Sequence, residues 1–350
     1  MIINSYKINL LKALAILVVV SGHLEFSIIP LFPPYSFQVM LFFFIAGILY
    51  NPEYSFGEYL IRRIKSLIVP YFLYAFFYLI ITIAITPVIG KFWGMEINFK
   101  NEFLYPFLTG HQLDLISPLW FVPCLFITLL IYKLFSYIKV NQNLKLLFYL
   151  LLALLAIKFQ AMGKNIAFLW IFRSMFALLF VHLGYLYKTK IEGRINIFSE
   201  KIFYFVIIAQ SILWLTNKDY SPMQGIGLHF LLVWSEYNNP IVPILSSITG
   251  IWISLFIVRI LSEKIKNWTF IEKIGKNSYH IMANHLLVFN FITYSILFFK
   301  GIPFDIKNSS DIYWFYNPIK TTYFYFTAGI VVTTYFGEFL KKLKKYFFLK

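Results

Sequence analysis

Apolar runs of roughly 17 to 24 residues recur along the chain, each long enough as a helix to cross about 30 Å of hydrocarbon. The pattern predicts ten transmembrane helices near 8–26, 36–50, 66–89, 117–138, 144–160, 166–187, 201–217, 241–261, 278–299 and 318–340. The second is short and rich in Phe, running Met40-Leu41-Phe42-Phe43-Phe44-Ile45-Ala46-Gly47. Ten is an even number, so both termini are expected on one side. Three longer polar loops fall near 90–116, 218–240 and 300–317. No internal repeat and no low-complexity segment interrupts the series.

Composition strengthens this picture. The chain is 60% hydrophobic and 13% charged, with a mean hydropathy of +0.73, which excludes an ordinary soluble domain. The expected fold is all-α, a polytopic membrane helical bundle forming one domain over residues 1–350, with no soluble domain appended. The N-terminal stretch has a weakly basic start and no small-residue cleavage site. It is expected to be an uncleaved first span.

A formal charge of +16 first suggests a nucleic-acid partner, but its distribution says otherwise. With the N-terminus inside, 22 Lys and Arg fall in inner segments and 8 in outer ones, and Arg173 lies within a span. This is a positive-inside bias. It puts both termini in the cytoplasm and makes the basic charge a topology signal first. Attraction to anionic lipid comes second, so the expected partner is the bilayer and not nucleic acid. The one cysteine, Cys124, forms no internal disulfide and reads as packing. No Cys and His stand at metal-ligand spacing, so no metal site is expected.

Ionisable residues inside spans are costly and mark candidate function. In the first span, Lys12 and His23 are eleven residues apart, which places them on one helical face about 16 Å apart along the axis. Asn9 shares that face. Lys12 has two readings, a snorkelling anchor or part of a site. His23 cannot reach the surface, and histidine titrates near neutrality, so it suits proton exchange during group transfer. Glu25, about 200° further round a continued helix, is a candidate acceptor contact rather than a partner of His23. Arg173 and His182 fall on opposite faces of the sixth span and are not one site. Of His280 and His285, about 140° apart, at most one is expected to face the cavity of His23. His111 and His229 lie in outer loops. The outer loops also carry Trp93, Asp114, Trp234, Glu236, Tyr237, Asp311, Tyr313, Trp314 and Tyr316. Such aromatics make an interfacial belt. Beside carboxylates and amides they also make sugar sites. Both readings stay open.

Six blocks in order resemble the acyltransferase-3 family of integral membrane acyltransferases, most closely its fucose 4-O-acetylase-like branch. Asn9 to Lys12, running on to Gly22-His23, resembles the opening motif, a basic residue, ten intervening residues and then a histidine. Lys12 stands where many members have arginine, and Asn9 where many have aspartate. Met40 to Gly47 resembles the family's second span. Arg62-Arg63-Ile64-Lys65 with Val69-Pro70-Tyr71 resembles its basic loop and third span. Pro118-Leu119-Trp120-Phe121-Val122, Leu183-Gly184-Tyr185-Leu186 and Ile274-Gly275-Lys276-Asn277-Ser278-Tyr279 with His285 resemble three further blocks.

The resemblance implies an O-acyltransferase that moves acetyl from cytoplasmic acetyl-CoA, a co-substrate rather than a tightly bound cofactor. The implied acceptor is a hydroxyl of a surface polysaccharide or lipid-linked saccharide. The implied location is a bacterial plasma or inner membrane, spanned several times. On this expectation His23 is the general base, or accepts the acetyl group transiently, and Lys12, Arg62, Arg63 and Lys65 hold the donor phosphates. A polar cavity would join the two faces. Arg173 or His285 stabilises the oxyanion or positions groups, and Glu25 touches the acceptor. The main rival is a transporter or flippase for a lipid-linked saccharide. A polysaccharide polymerase or a purely structural membrane partner is a weaker rival.

Overall fold

A computed structural model describes residues 3–110, 112–194, 196–216, 230–237, 239–265, 268–302 and 311–348. Helices occupy every stretch that the apolar pattern marks. The principal ones are α1 (Ser5–Gly22), α2 (Gln38–Ile48), α3 (Phe56–Ile89), α4 (Asp114–Ser136), α5 (Gln142–Lys158) and α6 (Ile166–Ile191). They continue with α7 (Glu200–Thr216), α8 (Val242–Lys264), α9 (Thr269–Lys276), α10 (Ser278–Phe299) and α11 (Pro318–Phe348). Among the described residues there is no β-strand, only the bridges Gly94–Leu113 and Leu231–Glu236.

Length and apolarity single out fewer spans than the expected ten. Among the described residues six helices, α1, α3, α4, α6, α8 and α10, are long and apolar enough to cross a membrane. The other four fall short for different reasons. At 1.5 Å per residue, α2 covers only about 16 Å, and α5 and α7 about 25 Å each. With 31 residues, α11 is long enough, but its Thr321, Thr322, Tyr323, Tyr325, Thr333 and Thr334 make it less apolar.

Close backbone approaches lock the bundle. A Cβ added at Gly47 of α2 would sit 1.9 Å from the Val181 carbonyl oxygen of α6. One added at Gly184 of α6 would sit 2.0 Å from the Phe44 oxygen of α2. The two glycines make one reciprocal crossing, as small residues do between membrane helices. The apolar pattern does not anticipate α9, which packs on α1 through Gly275, where a Cβ would lie 1.8 Å from the Asn9 oxygen. Within α3, Ile64–Ile68 winds as a π-helix. Pro70 has no N–H to offer Ser66, and the turn before it widens. In that widened turn the Leu67 carbonyl accepts the Tyr279 hydroxyl of α10, at 3.2 Å.

The site depends on where α1 stops. The apolar run extends to 26, but the helix ends at Gly22, with His23 as its capping residue. The Phe26 amide returns to the Ser21 oxygen and the Glu25 amide to the Gly22 oxygen, both at 3.2 Å. Glu25 takes φ +58°, the left-handed conformation that closes such a terminus. Pro30, Pro33 and Pro34 then keep the chain irregular until Gln38. Irregular backbone at membrane depth survives where protein covers it or where it lines a cavity. Because α2 is so short, the 23–37 segment descends between the helices and hollows one end of the bundle.

Candidate functional site

A cavity of about 750 Å³ occupies that hollow, within the usual size range of small-molecule sites. Its wall includes His23, Glu25 and Tyr35 from the descending segment, Trp120 from the start of α4, and Asp311 and Tyr313 from the 311–317 loop. The His23 ring lies between aromatic neighbours. Tyr313 stacks on it at 5.7 Å and 16°, and Tyr35 meets it edge-on at 6.3 Å. Behind it, away from the cavity, the ring of His285 is 5.0 Å off and tilted by 40°.

His285 is wholly buried, and its Nδ1 lies 2.9 Å from the Ile281 carbonyl oxygen. Its Nε2 is buried without a partner, and so is Nδ1 of His23. Such orphaned nitrogens cost stability and are uncommon in folded proteins. With Nδ1 of His23 closed off, Nε2 is the nitrogen that can meet a substrate.

Hydroxyls and charges complete the wall. The Tyr313 hydroxyl shares a 2.8 Å hydrogen bond with Ser117. Burial pushes the Tyr35 phenol up, with the electrostatic effects of Tyr313 and Glu25 adding to it, so it stays a neutral donor. Lys91 and Asp311 lie within electrostatic reach of Asp114, and all three line the cavity. Among the described residues three carboxylates (Glu25, Asp114 and Asp311) thus converge with one lysine, in a chain of strong net positive charge.

Arg173 stands one layer back. It is 2% exposed, its guanidinium lies 4.8 Å over the Trp120 ring, and its two terminal nitrogens donate to the carbonyls of Thr109 and Val233. Gly110, at φ +80°, lets that loop lie flat on Trp120, where a Cβ would come within 2.4 Å of the tryptophan Cα. Arg173 therefore ties two loops to a cavity wall, a positioning arrangement.

The structure brings His23, His285 and Glu25 together, with Arg173 behind the wall. The helical projection of Glu25 needs correcting. The helix ends before it, and the left-handed turn carries it to the same cavity as His23. Lys12, Arg62, Arg63 and Lys65 are not on this cavity. Its lining at the end of α1 and in the turn that follows runs from Val19 to Glu25, above half-buried Lys12. Arg62 and Arg63 cover the rings of Tyr54 and Tyr59, at 4.3 and 4.7 Å, and Lys65 is exposed. His280 points elsewhere, to the Tyr74 hydroxyl at 2.6 Å. His111 and His229 lie outside the described residues.

Of the loop residues, Asp114, Trp234, Asp311, Tyr313 and Trp314 line the cavity. Trp93 stacks on Tyr294, Tyr237 packs on Phe176, and Glu236 pairs with Lys164 at 3.0 Å. Sequence reasoning did not single out Tyr35, Lys91, Ser117 or Trp120 as site residues. The Pro33-Pro34 pair immediately before Tyr35 is a signal for the first of them, since it fixes a rigid turn.

A family model described as an acyltransferase domain, that of acyltransferase-3, matches residues 5–337. The chain belongs to the acyltransferase-3 family. No curated protein and no solved structure matches it. With six helices apolar enough to cross a membrane, this acyltransferase-3 protein is a multi-pass membrane acyltransferase, and the match does not favour the transporter reading.

Proposed function

We propose that this enzyme is an O-acetyltransferase of the fucose 4-O-acetylase-like branch. It takes acetyl from cytoplasmic acetyl-CoA and gives it to a hydroxyl of a cell-surface polysaccharide or lipid-linked saccharide. It sits in a bacterial plasma membrane with ten spans and both termini cytoplasmic. The observation that carries the reading is a histidine on the wall of a large cavity, with one nitrogen facing the space and the other closed off.

In the proposed step, Nε2 of His23 takes the proton of the acceptor hydroxyl as its oxygen attacks the thioester carbonyl. The tetrahedral adduct collapses, the C–S bond breaks, and the thiolate of CoA takes that proton back from His23. The products are an acetyl ester and CoA thiol, with no net proton released. General-base help of this kind is worth roughly 10²–10⁴-fold in rate.

The acceptor would lie against Tyr35, Tyr313 and the tryptophans, with Glu25 and Asp114 accepting its hydroxyl hydrogens. Three carboxylates against one lysine favour a neutral or amino sugar over a uronic acid. Lys12, with Arg62, Arg63 and Lys65, would hold the donor phosphates at the opposite end. Between Lys12 and Val19, α1 buries Ala13, Ala15, Ile16 and Val18 against its neighbours, so the donor arm must part them to reach His23.

The test is acetyl transfer from labelled acetyl-CoA into saccharide, in membranes bearing wild type or His23→Ala at equal levels. Label incorporated by wild type and reduced at least about 100-fold in the variant is expected. Equal incorporation by both removes His23 from the mechanism. No incorporation by either, with native saccharide supplied, points to transport instead.

A further inference from the structure

The two orphaned nitrogens behind the cavity are complementary. A backbone carbonyl can only accept, so the 2.9 Å contact with Ile281 puts the proton of His285 on Nδ1. In a neutral ring this leaves Nε2 as a bare acceptor, and that atom is buried with no partner. Across a 5.0 Å gap between ring centroids lies His23, whose Nδ1 is equally buried and equally without a partner. Each vacancy is what the other lacks, a donor on one ring and an acceptor on the next. At a 5.0 Å centroid separation two imidazole rings whose nitrogens face each other are in hydrogen-bond reach, and an unmade buried bond is costly enough to favour turning them so.

We infer that His285 acts as a positioning residue for His23. Its Nε2 accepts the Nδ1–H of His23 and thereby holds His23 in the tautomer with a bare Nε2 facing the cavity. The bond strengthens when His23 becomes an imidazolium, because a charged donor makes the stronger hydrogen bond. The backbone of α10 is the anchor. Ile281 sits one turn before His285, and its carbonyl orients the wholly buried ring. The catalytic consequence rests on the proposed role of His23 as base, whereas the tautomer itself does not. Tyr35 and Tyr313, on the other sides of the ring, hold His23 in place but make no hydrogen bond to Nδ1.

Two readouts test the pair. In the full-length protein in lipid bilayers, with ¹⁵N-labelled histidine, nitrogen NMR separates protonated from bare ring nitrogens. The His23 signals are assigned by their loss in His23→Ala. We expect His23 protonated on Nδ1 and bare on Nε2, and a mixture of tautomers in His285→Phe. His23 protonated on Nε2 in the wild type overturns the inference. In acetyl transfer, His285→Phe should lower kcat by about 10- to 100-fold, the usual loss when a supporting hydrogen-bond partner is removed. The KM for acetyl-CoA should stay within about twofold. His285→Gln can still accept the bond through its side-chain oxygen and should recover most of that loss. Equal kcat in the Phe and Gln variants also overturns the inference. If the wild type transfers no acetyl yet shows the expected tautomer, the acetyltransferase reading fails and the pair stands.

Discussion

Two histidines at opposite ends of the bundle, one buried and one half-buried, show how the same residue is used in two ways. His182 of α6 is wholly enclosed, and every polar atom of its ring is satisfied. Its Nε2 donates to the Gln142 carbonyl at 3.2 Å, and its Nδ1 accepts the Tyr132 hydroxyl at 3.1 Å. Tyr149 and Tyr185 pack around it. His23 lies beside a 750 Å³ cavity, with one nitrogen open to it and one buried without a partner. The first environment leaves the ring nothing to do but hold helices together. The second leaves it free to exchange a proton. Backbone geometry follows the same division. Around His182, glycines bring α2 and α6 into contact, while around His23 the non-glycine residues Glu25 and Tyr35 are held in the left-handed region, at φ +58° and +63°. Such conformations cost about 1–3 kcal/mol each and concentrate at functional sites.

The largest effect is expected at the packed end. Gly184→Val would drive a side chain into the Phe44 carbonyl, and a loss above about 4 kcal/mol should leave little folded protein after detergent extraction. Gly57→Val, with nothing within 4 Å, is the control and should extract normally. A well-folded Gly184→Val would show that the helices separate there easily, and the contrast between the two ends would fail.

A smaller loss is expected for His182→Ala. It strands the Tyr132 hydroxyl and the Gln142 carbonyl, at about 2 kcal/mol, seen as a lowered Tm. Turnover per folded molecule should be unaffected. A fall in kcat at unchanged Tm would make His182 part of the chemistry.

The smallest effect, at the cavity end, has the opposite sign. Glu25→Gly relieves the left-handed backbone and should raise stability by up to about 1 kcal/mol. It also removes a carboxylate from the cavity, so the acceptor KM should rise several-fold. Higher stability with unchanged KM would reduce Glu25 to a turn residue.

The sequence made the helices legible because each apolar run is local and continuous. That signal is weakest in the short α2 and in the Thr- and Tyr-rich α11, two of the four expected spans that the six helices long and apolar enough to cross a membrane do not include. The end of α1 was misjudged because Leu24 and Phe26 prolong the apolar pattern, while the stop lies in backbone hydrogen bonds from residues 25 and 26. Family-like blocks could be recognised one by one, but not their pairing. Gly47 meets the backbone of the 181–185 segment, and Gly275 meets Asn9. The approach of His285 to His23 is equally non-local. Sequence left open which of His280 and His285 makes that approach, because it depends on α9 packing against α1 ahead of α10.

The most direct measurement sets His23→Ala beside His182→Ala in one acetyl-transfer assay, with each rate divided by the amount of folded protein. A rate at least about 100-fold down in the first, and within about threefold of wild type in the second, is the result predicted here. Equal losses in the two variants, or a larger loss at His182, would contradict the assignment of the chemistry to the cavity at the end of α1.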